Sequence, residues 1–350
     1  MAACSLAFTE VRLYVGYGWN EATNLACAIA ELAAAQGLSV RFCSTSQHAS
    51  GVDTYWDAHQ THRLPPAGKT TLAVWLDYDL AGVLQSVRQA GRSVLVASRP
   101  TCLDRALAAA VRCSDVVAVD ADYFAAILPT KKAHCIPPEC SGHSSPPQPL
   151  HQDHPDRSVW LVDGETLRRY GGGIAHVLNL LLSLNRQLQL TLIRQGACDP
   201  ATNRLLMATA RQYPDRLTLY TRASRQLRQS IYSEHGWGVV LTCRTPGITY
   251  LLEGLRAGLH MAGLKYGGAV DTLASLGGWA IDCPVAYNPH GLPYAEIDQS
   301  LLLDAALCRY EHVRLRSEQP APADATRLHQ RLVEHRLRFT AGWEQLWQPI

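Results

Sequence analysis

Leu252-Glu253-Gly254-Leu255-Arg256-Ala257-Gly258-Leu259-His260, continued by Gly267-Gly268-Ala269-Val270-Asp271, carries the clearest pattern in the chain. It places an acidic residue near the start of a helix, then a glycine, a short strand, a Gly-Gly turn and a second acid. A helix carboxylate can accept hydrogen bonds from two vicinal hydroxyls. Paired glycines let backbone N–H groups come close to a phosphate.

Working outward, the same alternation of strand and helix fills the C-terminal half. Val159 to Val162, Leu190 to Ile193, Leu217 to Leu219, Gly238 to Leu241 and His260 to Ala262 read as strands. Gly171-Gly172-Gly173 reads as a turn, and Ile174–Leu184, Thr202–Gln212, Ser224–Glu234 and Thr249–Ala257 as helices. The N-terminal half repeats the theme. Val11 to Val15 is a strand, Gly16-Tyr17-Gly18 a turn, Asn24 to Gln36 a helix closed by Gly37, and Val40 to Cys43 a second strand. Thr71 to Leu76, Ser93 to Ala97 and Val116 to Val119 follow as strands, with helical pattern over Ala81–Ala90, Cys102–Arg112 and Ala121–Leu128. Between Ile136 and Arg157 the composition shifts to Pro, His, Ser and Gln, which excludes a helix or a central strand there.

Repeating βα units imply parallel sheets with helices on both faces. The expected architecture is α/β, with two Rossmann-like doubly wound domains facing across a cleft. The boundaries read as 1–135 for the first domain, 136–157 for the linker, 158–322 for the second domain and 323–350 for a final helix. In that helix, Leu328, Leu332, Phe339, Trp343 and Leu346 share one face, and Arg327, Arg331, His335 and Arg338 another.

Length and composition agree. The 350 residues suit two domains of roughly 100–200 residues each. A chain 47% hydrophobic and 18% charged is neither disordered nor a membrane protein. Thirty-two basic residues against thirty acidic ones exclude a generic polyanion binder. Only four of the basic residues are lysines, Lys69, Lys131, Lys132 and Lys265, so a single arginine is weak as a signal. No segment has the roughly 18–20 apolar residues of a membrane span, and no basic start precedes the apolar N-terminus. Eleven cysteines, odd in number and scattered, read as buried thiols of a reducing compartment, so a cytoplasmic location is expected. His134, Cys135, Cys140, His143, His151 and His154 cluster in the linker, but the Cys135–Cys140 spacing is looser than zinc sites use, and no metal is expected.

The 252–271 pattern resembles the GT-B glycosyltransferases, in particular the large retaining family whose donor domain reads E-A-x-A-x-G-x-P-V, strand, G-G-x-x-E. The resemblance implies that Glu253 holds the donor ribose and that Gly267 and Gly268 lie against the diphosphate and sugar. Asp271 stands where the family has its second acid, and Thr245 where the family's first Glu would be. Val162 to Gly173 matches the place where the family puts a glycine and then a cationic pair. Arg168 and Arg169, beside Gly172, would therefore neutralise the leaving diphosphate, with Lys265 as a second phosphate ligand. Thr221 and Arg222 fall where these enzymes seat the base, and Thr242 and Arg244 on the same rim. Asp77 and Asp79, at a strand end in the acceptor half, are candidates to activate the acceptor hydroxyl, with helix capping as the other reading of Asp79. The family also implies a last helix crossing back to the N-terminal domain, a retained anomeric configuration, no metal and no tightly bound cofactor. The co-substrate would be a nucleotide sugar, UDP-linked in most members.

Ile281 to Pro293 and Arg336 to Trp343 are similar to bacteriophage-encoded members of this superfamily. That similarity implies a hydroxymethylated pyrimidine of duplex DNA as acceptor, and a host cytoplasm as location. The alternatives are a cell-surface glycan acceptor, a non-catalytic nucleotide-binding homologue, or a sugar epimerase of the same double-domain fold.

Overall fold

The computed structural model describes residues 8–15, 21–44, 60–61, 68–76, 88–96, 105–119, 128, 133–140, 148, 154–243, 247–266, 273, 275–287, 293–318 and 322–348. The chain divides into two units, 1–144 with 333–350, and 145–332.

The first unit is built on a seven-stranded parallel sheet, comprising β1 (Glu10–Val15), β2 (Ser39–Ser44), β3 (Gln60–Thr61), β4 (Thr71–Trp75), β5 (Arg92–Val96), β6 (Val116–Val119) and β7 (Ala133–Cys135). Their order is β3-β2-β1-β4-β5-β6-β7. The central strands are buried on both faces, as β-branched runs such as Val116-Val117-Ala118-Val119 require. Helix α1 (Glu21–Ala35) ends as a Schellman motif, with Gly37 N–H donating to Ala34 and Leu38 N–H to Ala33. Helix α2 (Arg105–Cys113) leads into β6.

The second unit carries β8 (Arg157–Asp163), β9 (Gln189–Gln195), β10 (Leu217–Thr221), β11 (Trp237–Leu241), β12 (His260–Leu264) and β13 (Trp279–Ile281), all parallel, in the order β10-β9-β8-β11-β12-β13. Numbered within the unit this is 3-2-1-4-5-6, the dinucleotide-fold order, whose direction reverses between β8 and β11. Helices α3 (Gly164–Leu184) and α4 (Pro200–Gln212) bury Leu178, Leu181 and Leu206 with Trp160, Val162, Leu190 and Leu192. Helices α5 (Arg225–Tyr232) and α6 (Ile248–Arg256) cover the opposite face. There His235, just past α5, bonds Thr191, and Gly254 of α6 packs on Met261. A hairpin of β14 (Val285–Tyr287) and β15 (Pro293–Ala295) and the long helix α7 (Gln299–Glu318) complete this unit.

Two readings of the sequence are corrected here, and one helix is added. Gly171-Gly172-Gly173 is not a turn but lies inside the 21-residue α3. The helix tolerates the glycines because neighbours come close. A Cβ at Gly171 would overlap the Thr202 side chain of α4, and one at Gly173 would stand 2.7 Å from Gln299 Nε2 of α7. Helix α7 escaped the sequence reading because Leu301-Leu302-Leu303 blurs its stripe. Leu302, Ala306, Tyr310 and Val313 are buried, while Leu301 and Leu315 face out. In the last helix, α8 (Pro322–Trp347), His335 does not belong with the exposed arginines. It is buried, and its Nε2 lies 2.8 Å from the Pro138 carbonyl.

The unit boundary falls within α8, after Leu332. Phe339, Trp343, Leu346 and Trp347 pack in the first unit's core with Val11, Leu25 and Val94. Arg92 Nη1 donates to the Leu346 carbonyl at 2.8 Å and so occupies one of the acceptors a helix end leaves open. In the linker, residues 136–140 and 154–156 form neither helix nor strand. No disulfide links the described cysteines, and among the described residues no three His, Cys, Asp or Glu side chains are grouped as metal ligands. No described helix is long and apolar enough to cross a membrane.

His235 gives the second unit an acid-sensitive point. Its Nδ1 lies 2.5 Å from the Ile231 carbonyl, which can only accept, so Nδ1 carries the proton and Nε2 accepts from the Thr191 hydroxyl at 2.9 Å. Burial pushes the imidazole pKa down to about 4. The folded state therefore binds fewer protons than the unfolded one. The contribution is complete above the unfolded value of about 6.5 and is lost as pH falls from there to about 4, up to about 3 kcal/mol. Urea unfolding at pH 7 and pH 4.5 should show the wild type losing most of that difference and a His235→Gln variant losing less. Parallel losses in the two proteins would refute the assignment.

Candidate functional site

Open α/β sheets bind ligands outside the carboxyl ends of their strands, where the order reverses. In the second unit that point is built from the ends of β8 and β11. Strand β8 runs into α3 without a loop. Asp163 is both the last strand residue and the helix cap, its Oδ1 accepting from Thr166 N–H at 2.6 Å. Thr166, fully buried, accepts in turn from the Cys243 backbone N–H at 2.8 Å and so ties α3 to the chain leaving β11. The turn into α3 lies against the end of β9. A Cβ on Gly164 would come within 3.2 Å of Gly196 Cα, and one on Gly196, whose φ is +134°, within 3.0 Å of Gly164 Cα.

Arg168 and Arg169 lie in the second turn of α3, and both pair with Glu165 of the first turn. Arg169 Nε is 2.7 Å from Glu165 Oε1, and Arg168 takes the other oxygen. Arg169 also sits over the Tyr294 ring at 5.2 Å. Gly172 is on the exposed side of the same helix. At the end of β10, Thr221 Oγ1 accepts from Arg194 Nη2 at 2.7 Å. Arg222 follows with φ +56°, alone among the described non-glycine residues in having positive φ. Such backbone is uncommon outside glycine and is a feature of turns and binding loops. Lys265, at the end of β12, pairs with Asp282 at 3.0 Å, and both side chains are exposed. Asp77, Asp79, Arg244, Gly267, Gly268 and Asp271 lie outside the described residues.

Glu253 sits in the second turn of α6 and is 5% exposed. Its carboxylate is gripped in bidentate fashion by Arg228 of α5, Nε to Oε2 at 2.8 Å and Nη2 to Oε1 at 3.0 Å. Arg228 is fully buried and lies 5.4 Å from the Tyr250 ring centroid. Its Nη1 donates to the Ala223 carbonyl at 2.9 Å, in the loop that follows Arg222. Burial alone would lower the guanidinium pKa, but the Glu253 charge and hydrogen bonds outweigh that and raise it. One side chain thus holds both the loop read as the base seat and the acid read as the ribose ligand. A carboxylate has about four lone-pair sites, so two remain for hydroxyl donors.

The sequence reading missed Arg228. The available signal was its place beside Ile231 and Tyr232 on the apolar stripe of α5, where an arginine needs a buried partner. It also missed Thr166, which nothing in its neighbourhood distinguishes from an ordinary first-turn threonine.

No protein-family model and no curated protein matches the chain. Solved structures are similar. OtsA shares 10% identity over 97% of this chain and 99% of its own, with a TM-score of 0.61. S. aureus TarM, solved as a mutant in complex with Fondaparinux, alpha-GlcNAc-glycerol and UDP, shares 9% over 81% of this chain and 56% of its own, with a TM-score of 0.56. The pneumococcal O-GlcNAc transferase GtfA, in complex with UDP and GlcNAc, shares 15% over 80% and 57%, with a TM-score of 0.53. The chain thus spans little more than half the length of TarM and GtfA. With its two doubly wound parallel sheets, it has the GT-B fold.

Proposed function

We propose that the protein is a glycosyltransferase moving a sugar from a nucleotide-sugar donor, UDP-linked, to a hydroxyl acceptor. The observation that carries this reading is the Arg228 guanidinium, which joins Glu253 to the Ala223 carbonyl at the carboxyl edge of a sheet with the dinucleotide-fold strand order. In this reading Glu253, fixed by Arg228, accepts the ribose hydroxyls, and the Thr221–Arg222 loop seats the base. The diphosphate lies toward the N-terminus of α3. Arg168 and Arg169 leave Glu165 to meet the charge that develops on the leaving diphosphate, and Lys265 leaves Asp282 for the same purpose. Gly172, exposed on the same helix, keeps the place beside the diphosphate that the family resemblance implies. Gly267, Gly268 and Asp271 keep the roles the family resemblance implies, as do Arg244 on the nucleotide rim and Asp77 and Asp79 on the acceptor side.

The acceptor we propose first is a hydroxymethylated pyrimidine in duplex DNA, which rests on the sequence similarity of Ile281–Pro293 and Arg336–Trp343. The test is incubation of the full chain with pooled nucleotide sugars and hydroxymethylcytosine- or hydroxymethyluracil-containing DNA, followed by mass spectrometry of the nucleosides. The expected result is a hexose- or pentose-sized mass gain on one base with nucleoside diphosphate released. Diphosphate release with unmodified DNA would remove the DNA acceptor and favour a glycan hydroxyl. Absence of both donor binding and donor consumption would overturn the transferase reading.

A further inference from the structure

Gln195 closes β9 and is 7% exposed, yet neither its Oε1 nor its Nε2 has a hydrogen-bond partner, and both atoms are out of reach of solvent. A buried carboxamide left unsatisfied at both ends carries the full desolvation cost of each group, and native structures hold few of them. No packing advantage offsets the cost, since a leucine would fill similar space without polar atoms.

Its position explains the expense. Gln195 is in register with Asp163, the cap of α3, and is followed by the Gly196 that lies against Gly164. On its other side, Arg222 N–H donates to the Arg194 carbonyl at 2.9 Å, which sets the Arg222–Ala223 loop beside it. Alternation along β9 puts residue 195 on the same face as Thr191, whose hydroxyl meets His235 beyond α5. That is the face covered by α5 and α6, the helices of Arg228 and Glu253. The unpaired amide therefore stands at the carboxyl edge between the first turn of the 21-residue α3 and the loop that Arg228 holds.

We propose that Gln195 is a nucleobase contact of the donor site, its carboxamide pairing with a base edge that both donates and accepts, as the imide edge of uracil does. The proposal deepens the transferase reading and rests on it. A phosphate, which only accepts, would satisfy Nε2 and leave Oε1 bare. A base edge satisfies both, with N–H donating to Oε1 and a ring carbonyl accepting from Nε2.

The test compares wild type with Gln195→Leu by calorimetric titration of UDP and of inorganic pyrophosphate, and by thermal unfolding without ligand. Loss of the amide should weaken UDP by about 10- to 100-fold, because the base edge is left unpaired in a buried site. Pyrophosphate binding should not change. The ligand-free melting temperature should stay the same or rise, since the substitution removes two unsatisfied groups. UDP affinity within twofold of wild type, or equal losses for UDP and pyrophosphate, would overturn the contact while leaving the donor reading in place. A fall in the ligand-free melting temperature would assign Gln195 a structural role instead. Failure of the wild type to bind UDP, ADP, GDP or CDP would overturn the donor reading and this inference together.

Discussion

Arg228→Met is expected to destabilise the second unit by about 3–5 kcal/mol, the range for removing one partner of a buried ion pair. Glu253 would be left 5% exposed with no counter-charge, and the Ala223 carbonyl would lose its donor. A double variant, Arg228→Met with Glu253→Leu, should recover most of the stability, because well-packed apolar residues often replace a buried pair at little cost. Urea unfolding of the two single variants and the double measures the coupling directly. A single variant within 1 kcal/mol of wild type would show that the bidentate contact carries no weight. The double variant also separates two roles that the geometry superimposes. If the pair only braces α5 against α6, a stable double variant keeps donor turnover. If Glu253 holds the ribose, the double variant is folded and inactive.

The fold was legible because its signal is repetitive. Strands β1, β4, β6, β8, β9 and β11 are apolar runs bounded by polar or glycine residues, and each survives a one- or two-residue error at its ends. Their parallel order follows from the helices between them. The elements that were missed are those whose sequence does not alternate or is too short to register. These are the two-residue β3, the three-residue β7 and β13, the small hairpin, and α7 with leucines around its circumference. The glycine run in α3 misled for a physical reason. Glycine marks close approach as well as turns, and only the position of Thr202 and Gln299 distinguishes the two. The proposed site was legible only where a motif named its residues. Glu253 stood out by its spacing to the glycines, whereas Arg228 and Gln195 matter because of burial and pairing, which a linear pattern does not record. Arg168 and Arg169 read as a cationic pair in the sequence, while their shared anchor Glu165, only three and four residues before them, neutralises part of that charge in the fold.

Trp343→Ala is expected to cost about 3–5 kcal/mol, the range for truncating a buried aromatic, and to fall on the first unit. Trp343 is 1% exposed, lies among Leu25, Val96, Ala118 and Ile136, and meets Phe339 edge to face with ring centroids 6.4 Å apart. A Trp343→Phe variant keeps most of the volume and should lose much less. Differential scanning calorimetry of the full chain reads both, and the UDP binding proposed above should be unchanged below the transition, because the proposed donor residues Glu253 and Gln195 belong to the other unit. A melting temperature unmoved by Trp343→Ala would contradict the placement of the end of α8 in this core. The result bears on the acceptor. The Arg336–Trp343 similarity includes Phe339 and Trp343, whose burial accounts for them as packing residues, so the part of that segment open to an acceptor is its exposed face, Leu337, Arg338 and Ala341. If duplex DNA is the acceptor through this helix, Arg338→Ala weakens DNA binding and flattens its salt dependence with no change in melting temperature. If DNA binding survives Arg338→Ala unaltered, the tail similarity is one of packing, and the acceptor must be sought from the residues of the first sheet's carboxyl edge.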